Sequence, residues 1–315
     1  MRNSLWRLLL GRLLFGVPTL WVVITVAFLL VRLAPGGPFD AEQRLPPAVK
    51  ANLDRTFGLD RPLVEQYQRY LGRVLHGDLG PSLRLRDRRV IDLVREGLPV
   101  SLTLGGLALV LALLVGISGG LLAAVRRGRA ADRVLAGVSV LAVALPPYVT
   151  APLLVWIFAV YLGWLPVAGW TAGRWLDLVL PVVALALPTA GSLLRIVRAS
   201  ALDVLASPAI QAARARGLSA TRILWAHVLP PTLSPVLASL GGAAAGLLGG
   251  SLVIESVFGL PGMGRFLVEG ALNRDYTLVL GKVLVYAVLV LVLNLGADLG
   301  ALLLDPRLDR RGAPR

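Results

Sequence analysis

The sequence of 315 residues is 56% hydrophobic and only 16% charged, and its formal net charge is +14. Soluble domains average about 25% charged residues, so this composition excludes an ordinary soluble globular protein. The sequence contains no cysteine, which excludes disulfides and thiolate metal sites.

Six long runs with few or no charges predict transmembrane helices, because about 20 apolar residues suffice to cross a bilayer. The first run is longer than the apolar region of a signal peptide, and no small-residue cleavage site follows it. We therefore expect an all-α polytopic membrane protein. The predicted spans are 10–31, 99–125, 134–162, 178–197, 233–257 and 280–304.

The long loop after the first span contains an amphipathic segment, PLVEQYQRYLGRVLHG (62–77). Its apolar residues recur at helical spacing and share one face. The pattern predicts a helix that rests on the membrane or on the protein's own outer surface, and a docking surface for an external partner is the alternative. The residues of this face are Leu63, Tyr67, Tyr70, Leu71, Val74 and Leu75.

The charge-free run 134–173 is longer than one span requires. The Pro146-Pro147 pair should kink it, because proline removes a backbone donor and clashes with the preceding turn. One tilted helix followed by an apolar loop and a re-entrant element both fit this stretch.

The basic residues indicate how the chain is oriented. The short loops predicted to be outside contain only Arg174, Arg265 and Arg274, whereas each predicted inner segment carries several arginines. The loop 32–98 is also basic, but it is long enough to be translocated regardless of charge. This positive-inside pattern predicts that both termini are cytoplasmic. It also explains the basic residues without a nucleic-acid partner.

A few features inside the spans allow structural or functional interpretations. The stretch GGAAAGLLGG (241–250) favours close helix packing, and lining a wide path is the alternative. Glu255 and Lys282 lie near the outer ends of their spans, where they are expected to snorkel toward water. Asp298 is expected to form a structural contact between helices or with a loop.

Motifs of catalysis and nucleotide binding are absent from the sequence. No P-loop, G-x-S-x-G or H-E-x-x-H motif occurs, and GLPGMG (259–264) follows a membrane span and is interpreted as a turn. His76 and His227 fall on opposite sides of the predicted membrane. A membrane enzyme therefore has no obvious nucleophile, base or metal site, and a secondary transporter lacks a chain of ion-coupling groups.

The segment SPAIQAARARGLSATRILWAHVLP (207–230) predicts two short capped helices between two spans. In the first helix, the Ser207 hydroxyl should cap the amino end and Pro208 suits the first turn. Arg214 and Arg216 complement the dipole at the carboxyl end, and Gly217 should end the helix in a left-handed conformation.

In the second helix, Ser219 should cap a segment from 220 to 229 that Pro230-Pro231 stops. One interpretation of the pair is an interfacial helix whose arginines contact anionic lipid. The other is a rigid protruding element that transmits movement from a soluble partner to the membrane helices.

The motif QAARARG, followed after nine residues by HVLP, resembles the Glu-Ala-Ala…Gly loop of ATP-binding-cassette (ABC) importer permeases. In that loop Ala212, Ala213, Gly217, Leu229 and Pro230 match the family pattern. Gln211 replaces the family's Glu, as in the peptide-transport branch, whose Ala-Arg-Ala-Lys-Gly-Leu motif is matched by 213–218. A Tyr common just upstream in that branch is replaced by Ala209.

Further motifs extend the resemblance over nearly the whole chain and are similar to the B-type permease of oligopeptide importers. GDLGPS and ALNRDY favour the oligopeptide subgroup, while dipeptides, glutathione, nickel or oligosaccharides are alternative substrates. The motifs are RLAPGGP, FGLDRPLVEQY, HGDLGPS, LGWLPVAGW, VIESVFGLPGMG, ALNRDYTLV and LLLDPRL.

The resemblance implies a type I ABC importer transmembrane fold in which a cytoplasmic segment, 198–232, contacts the ATPase. The implied domains are 1–96, with the first span and outer loop, the transmembrane domain 97–304, and a cytoplasmic tail, 305–315. The residues implied to couple to the ATPase are Ser207, Pro208, Ala209, Ile210, Gln211, Ala212, Ala213, Arg214, Ala215, Arg216 and Gly217.

The resemblance also implies the partners. These are a homologous second permease, two cytoplasmic ATPase subunits and an external peptide-binding protein, in a bacterial or archaeal inner or plasma membrane. ATP and Mg²⁺ would bind the ATPase subunits, and this chain would bind no cofactor. A secondary transporter or channel remains the competing class of function.

Overall fold

The computed structural model describes residues 2–34, 37–38, 46–85, 87–171 and 173–304, so the predicted tail, 305–315, lies outside the described residues. The described residues are almost entirely helical, and their one extended pairing is an isolated bridge between Pro81 and Arg89. Two stretches, Val155–Tyr161 and Ile223–Val228, are π-helical. The α-helices are α1 Arg2–Leu33, α2 Pro47–Phe57, α3 Leu63–Leu75, α4 Val90–Val125, α5 Ala130–Ala144, α6 Pro147–Leu154, α7 Leu176–Leu205, α8 Pro208–Ala215, α9 Ala220–Arg222, α10 Leu229–Val257, α11 Met263–Leu272 and α12 Tyr276–Leu304.

Five of the predicted spans are confirmed as helices long and apolar enough to cross a membrane. The remaining span is broken: α5 and the helix 147–161 meet at a bend of 109°. The predicted kink is therefore confirmed at Pro146-Pro147, and the segment is not one tilted helix. Leu145 is extended and Pro147 occupies the first turn of α6, where its missing N–H costs no hydrogen bond.

The chain forms two compact units that interleave along the sequence. Among the described residues, the first unit comprises those within 1–12, 101–260 and 290–304, and the second comprises those within 13–100 and 261–289. The domain boundaries expected from the sequence remain a prediction.

In the first unit, α5, α6 and α10 all pack against α7. Glycines on α4 allow another close approach to α7. A Cβ atom at Gly116 or Gly120 would lie 2.6 Å from the Cβ of Leu193 or Val197, respectively. The absence of these side chains is what lets the two helices pack so closely.

The small-residue stretch 241–250 serves packing at two of its positions. A Cβ atom at Gly241 would collide with Asn294, and one at Gly250 would lie 2.9 Å from Leu185. The packing interpretation is therefore confirmed there. Open space surrounds the other glycines of the stretch, Gly242, Gly246 and Gly249.

In the second unit, α3 buries its predicted apolar face against α1 and α12. Tyr70 packs with Ile24, Phe28 and Leu280, and the Tyr67 hydroxyl lies 2.6 Å from Thr25 Oγ1. This confirms that the helix rests on the protein's own surface. The ends of the predicted face, Leu63 and Leu75, remain exposed.

The charged residues of the later spans are more buried than predicted. Glu255 and Lys282 do not snorkel to water, because both are completely buried. The Lys282 ammonium donates to the Met263 carbonyl at 3.1 Å and lies 4.4 Å from the centre of the Phe266 ring, and both contacts help to stabilise the buried charge.

The structural role predicted for Asp298 is confirmed, because the residue forms an ion pair that joins α12 to α1. The Asp298 carboxylate contacts the guanidinium of Arg12. Both residues belong to the first unit, so the pair ties its first and last helices together.

Asp275 organises the second unit at the start of α12. Its carboxylate is buried, accepts the backbone N–H of Leu278 at 3.1 Å and thereby caps the helix. It also accepts hydrogen bonds from the Ser82 hydroxyl and, at 3.1 Å, from the backbone N–H of Leu83. One side chain therefore fixes both the helix start and the loop before α4.

Candidate functional site

The predicted first helix of the segment 207–217 is present as α8. Ser207 occupies the N-cap position with extended dihedrals (φ −69°, ψ 150°), and Pro208 is the first helical residue. The predicted hydroxyl cap is wrong, because the Ser207 side chain makes no capping hydrogen bond. Its backbone carbonyl instead accepts the N–H groups of Ile210 and Gln211, at 3.1 and 3.3 Å.

Two residues anchor α8 to the rest of the first unit. Ile210 is 1% exposed and Ala213 is 7% exposed, and their spacing of three places them on one helical face. The helix contacts the π-helical segment Ile223–Val228. The opposite surface faces outward and consists of Pro208, Ala209, Gln211, Ala212, Arg214, Ala215, Arg216 and Gly217.

The predicted left-handed end of α8 is confirmed at Gly217, whose φ is +74°. Its backbone N–H donates to the Arg214 carbonyl at 2.9 Å, and the next N–H, of Leu218, donates to the Ala213 carbonyl at 3.3 Å. A Cβ atom at Gly217 would meet nothing within 4 Å. The backbone conformation, and not crowding, is therefore what requires glycine here.

The second helix begins as predicted but does not end as predicted. The Ser219 hydroxyl accepts the backbone N–H of Arg222 at 3.3 Å, which confirms the cap. Pro230 and Pro231 do not stop the helix, which continues to Val257. The π-helical stretch Ile223–Val228 precedes the prolines, and Pro230 and Pro231 lie in the first turn of α10.

An ion pair that sequence reasoning missed holds α7 near the start of this segment. Arg198 donates two hydrogen bonds to the Asp132 carboxylate, at 2.7 and 3.0 Å, and the Gly128 N–H donates a third at 2.9 Å. The two oxygens and the planar guanidinium make a bidentate pair, which fixes orientation as well as distance. The sequence signal for this pair was Asp132, a lone acidic residue in a basic inner loop.

The described residues contain no group of three or more histidine, aspartate or glutamate side chains that could hold a metal ion. The site consists of a helix with a buried anchor face and an outward face of small and basic residues. Each of its ends is connected to a long apolar helix, α7 on one side and the helix Ala220–Val257 on the other. This arrangement can bind a partner surface and transmit its displacement, but it holds no reacting groups.

Similar proteins are found over nearly the full length of the chain. The protein OppB of Haemophilus influenzae, named "Oligopeptide transport system permease protein", is 45% identical over 94% of this chain and 97% of its own length. OppB of Escherichia coli K12 is 43% identical over 96% and 99% of the two chains. "Dipeptide transport system permease protein DppB" of Bacillus subtilis is 38% identical over 92% and 94%.

A solved structure and a family profile agree with these relatives. A chain of the MetNI methionine ABC transporter, in an inward-facing conformation, matches with a TM-score of 0.55 and 18% identity over 68% of this chain and 97% of its own. This match confirms the predicted fold class. The family described as "Binding-protein-dependent transport system inner membrane component" matches residues 116–310. The chain therefore belongs to the family of inner membrane components of binding-protein-dependent transport systems.

Proposed function

We propose that this chain is a permease subunit of an ATP-driven peptide importer, with oligopeptides as its substrate class. The observation that carries the proposal is the full-length similarity to permeases named for oligopeptide transport. The relative named for dipeptide transport is less similar. The chain is a transport subunit and not an enzyme, since hydrolysis of ATP belongs to the ATPase subunits that its family works with.

Membership in the family implies ATPase partners and a second permease. We propose further that an external peptide-binding protein delivers the substrate and that ATP and Mg²⁺ bind only to the ATPases. The basic inner segments and the apolar spans support an inner or plasma membrane location with both termini in the cytoplasm.

We propose that residues 207–217 dock on the ATPase. The outward face of α8 carries small side chains and the guanidinium groups of Arg214 and Arg216, which suit a close fit in an acidic or polar cleft. The competing interpretation, a helix lying on lipid, requires a bulky apolar face toward the bilayer. The only large apolar residue of α8, Ile210, is buried in the protein, so the docking interpretation is favoured.

The proposed mechanism follows from these connections. Closure of the ATPase dimer on ATP displaces α8, and its two flanking helices transfer that displacement to the bundle. The permease pair then changes between inward and outward access. ATP shifts this equilibrium only because the ATPases bind it with different affinity in the two states.

Cross-linking tests the docking site directly. The sequence has no cysteine, so Ala212→Cys introduces the only thiol of this chain, on the outward face of α8. We expect a thiol-reactive cross-linker to join it to the ATPase in the assembled importer. Ala271→Cys, also an exposed position but on α11, is predicted to lie on the other side of the membrane and should give no such product. Equal products from both positions would refute the docking site.

Vesicle uptake tests the function. Proteoliposomes should contain this chain, its sister permease, the ATPases, ATP inside and the binding protein outside. We expect peptide uptake only when every component is present. Uptake by this chain alone, without ATP, would support the secondary transporter instead.

A further inference from the structure

The second unit contains a cavity of about 610 Å³ with a strongly basic lining. Residues from the end of α1, from α2 and from α3 form its walls. Within the described part of the chain no acidic side chain lines it. Its volume lies in the range of small-molecule sites, roughly 300–1,000 Å³. The basic lining residues are Arg32, Arg55, Arg69 and Arg73.

A small recess of about 40 Å³ adjoins this cavity and shares three of its arginines, Arg32, Arg69 and Arg73. Its wall includes two nearly buried polar residues, Gln66 at 8% exposed and Tyr70 at 6% exposed.

Three polar atoms at the recess are buried and have no hydrogen-bond partner among the described residues: Arg32 Nε, Gln66 Oε1 and Tyr70 Oη. Leaving such atoms unpaired is costly, so their clustering in one recess points to a ligand.

The orientation of the Gln66 amide is fixed by its nitrogen. That nitrogen donates to the backbone carbonyls of Leu59 and Arg61, at 3.1 and 2.7 Å. The oxygen is therefore left as an acceptor for a hydroxyl or amide donor. Burial raises the pKa of Tyr70 to about 12, so its hydroxyl stays protonated and can donate.

Aromatic rings position Arg32 without neutralising its charge. The guanidinium carbon lies 5.5 Å from the centre of the Phe28 ring and 5.2 Å from that of Tyr276. Arg69 is partly compensated by Glu65, at 3.1 Å. The remaining positive charge and the planar guanidinium groups match an oxyanion such as phosphate.

The position of the cavity indicates where the anion comes from. Arg32 lies in the last turn of α1, at the end of the membrane span Leu10–Leu33. The neighbouring side chains of Leu30 and Leu33 are exposed, as expected beside acyl chains. The cavity therefore lies at the depth of lipid headgroups, and it is much larger than an inorganic phosphate requires.

We propose that this cavity binds the phosphate group of an anionic phospholipid whose headgroup also carries a hydroxyl. The arginines contact the phosphate oxygens, Tyr70 donates a further hydrogen bond, and Gln66 accepts one from the headgroup hydroxyl. Free phosphate shares the anionic chemistry, but it has no acyl chains to hold it at the membrane.

The test uses the assembled importer in nanodiscs of phosphatidylcholine. Binding of phosphatidylglycerol and of inorganic phosphate is measured separately, for the wild type, Arg73→Gln and Tyr70→Phe. The second variant keeps the buried ring, so it separates loss of the hydroxyl from misfolding. Arg95→Gln is the matched control, because it removes an equal charge from an exposed side chain of the second unit that does not line the cavity.

We expect phosphatidylglycerol to bind the wild type and the control equally, and Arg73→Gln to weaken binding roughly tenfold or more. Tyr70→Phe should weaken it severalfold. Variant-sensitive binding of inorganic phosphate without lipid would keep the anion site but overturn the lipid assignment. Unchanged lipid binding in both variants would overturn the proposal.

Discussion

Replacing Gly217 tests whether the left-handed end of α8 is needed for docking on the ATPase. The residue has φ +74° and open space around its Cβ position, so a substitution acts through the backbone alone. Gly217→Val introduces a β-branched residue, which is rarely found at positive φ. Gly217→Asn is the matched control, because asparagine tolerates this conformation.

The size of the effect follows from the left-handed conformation. It costs an L-residue with a Cβ about 1–2 kcal/mol, and the cost is greatest for branched side chains. Docking requires the folded segment, so this free energy is the most that can be lost from the affinity for the ATPase. At 1.4 kcal/mol per factor of ten, we expect an affinity lower by up to roughly 5–30-fold in Gly217→Val.

A third variant separates charge from conformation. The side chain introduced by Gly217→Asp has nearly the same shape as that of Gly217→Asn, but it adds a negative charge beside the carboxyl end of α8. This charge should destabilise the end of the helix by a further 0.3–1 kcal/mol, roughly. We therefore expect peptide uptake to decrease in the order wild type, Asn, Asp and Val, with the Asp variant still inserted in the membrane.

The assay is ATP-dependent peptide uptake by the reconstituted importer, together with the affinity of the ATPase for the permease pair. Membrane insertion of each variant is measured as the control. Normal docking, normal stimulation of the ATPase and normal uptake in the Val and Asp variants would refute both the coupling role of this turn and the reasoning from its dihedral angle.

Three further changes probe the fold. Gly120→Leu should destabilise the first unit by about 1–3 kcal/mol or more, because a side chain there collides with α7; an unchanged thermal midpoint would contradict the packing described. Asp275→Ala should cost about 3 kcal/mol through loss of the helix cap and two other hydrogen bonds, whereas a matched change at exposed Asp60 should cost little; chemical denaturation measures both. Ile210→Ala should loosen α8 by about 2 kcal/mol, seen as roughly 30-fold faster hydrogen exchange of its amides, and equal protection in the variant would show that Ile210 is not an anchor.

The sequence predicted those parts of the structure that depend on local chemistry. Five spans follow from long apolar runs, and the break in the remaining one follows from Pro146-Pro147. The same holds for α8, whose boundaries depend on Pro208 and Gly217, residues with few backbone alternatives. The apolar face of α3 was also predictable, because it repeats with the helical period.

The parts that could not be predicted depend on contacts between distant residues. Pro230-Pro231 looks like a helix terminator, yet the helix runs through it from the π-helical stretch into α10. The sequence predicts that Lys282 snorkels to water, because only the fold brings the Met263 carbonyl and the Phe266 ring beside its ammonium group. Likewise, the basic cavity joins arginines from three helices, and no sequence motif marks such a convergence.

The continuous helix Ala220–Val257 bears on how the proposed coupling would work. Had the helix stopped at Pro230, a displacement of α8 would have been absorbed by a flexible joint next to it. Instead, α8 packs on Ile223–Val228, and the helix continues from there into α10 without an intervening loop. On its other side, the bidentate pair of Arg198 and Asp132 fixes α7 to α5. A movement of α8 would therefore be passed to α10 and to the α5–α7 pair together, which is what a change of access between the two sides of a membrane requires.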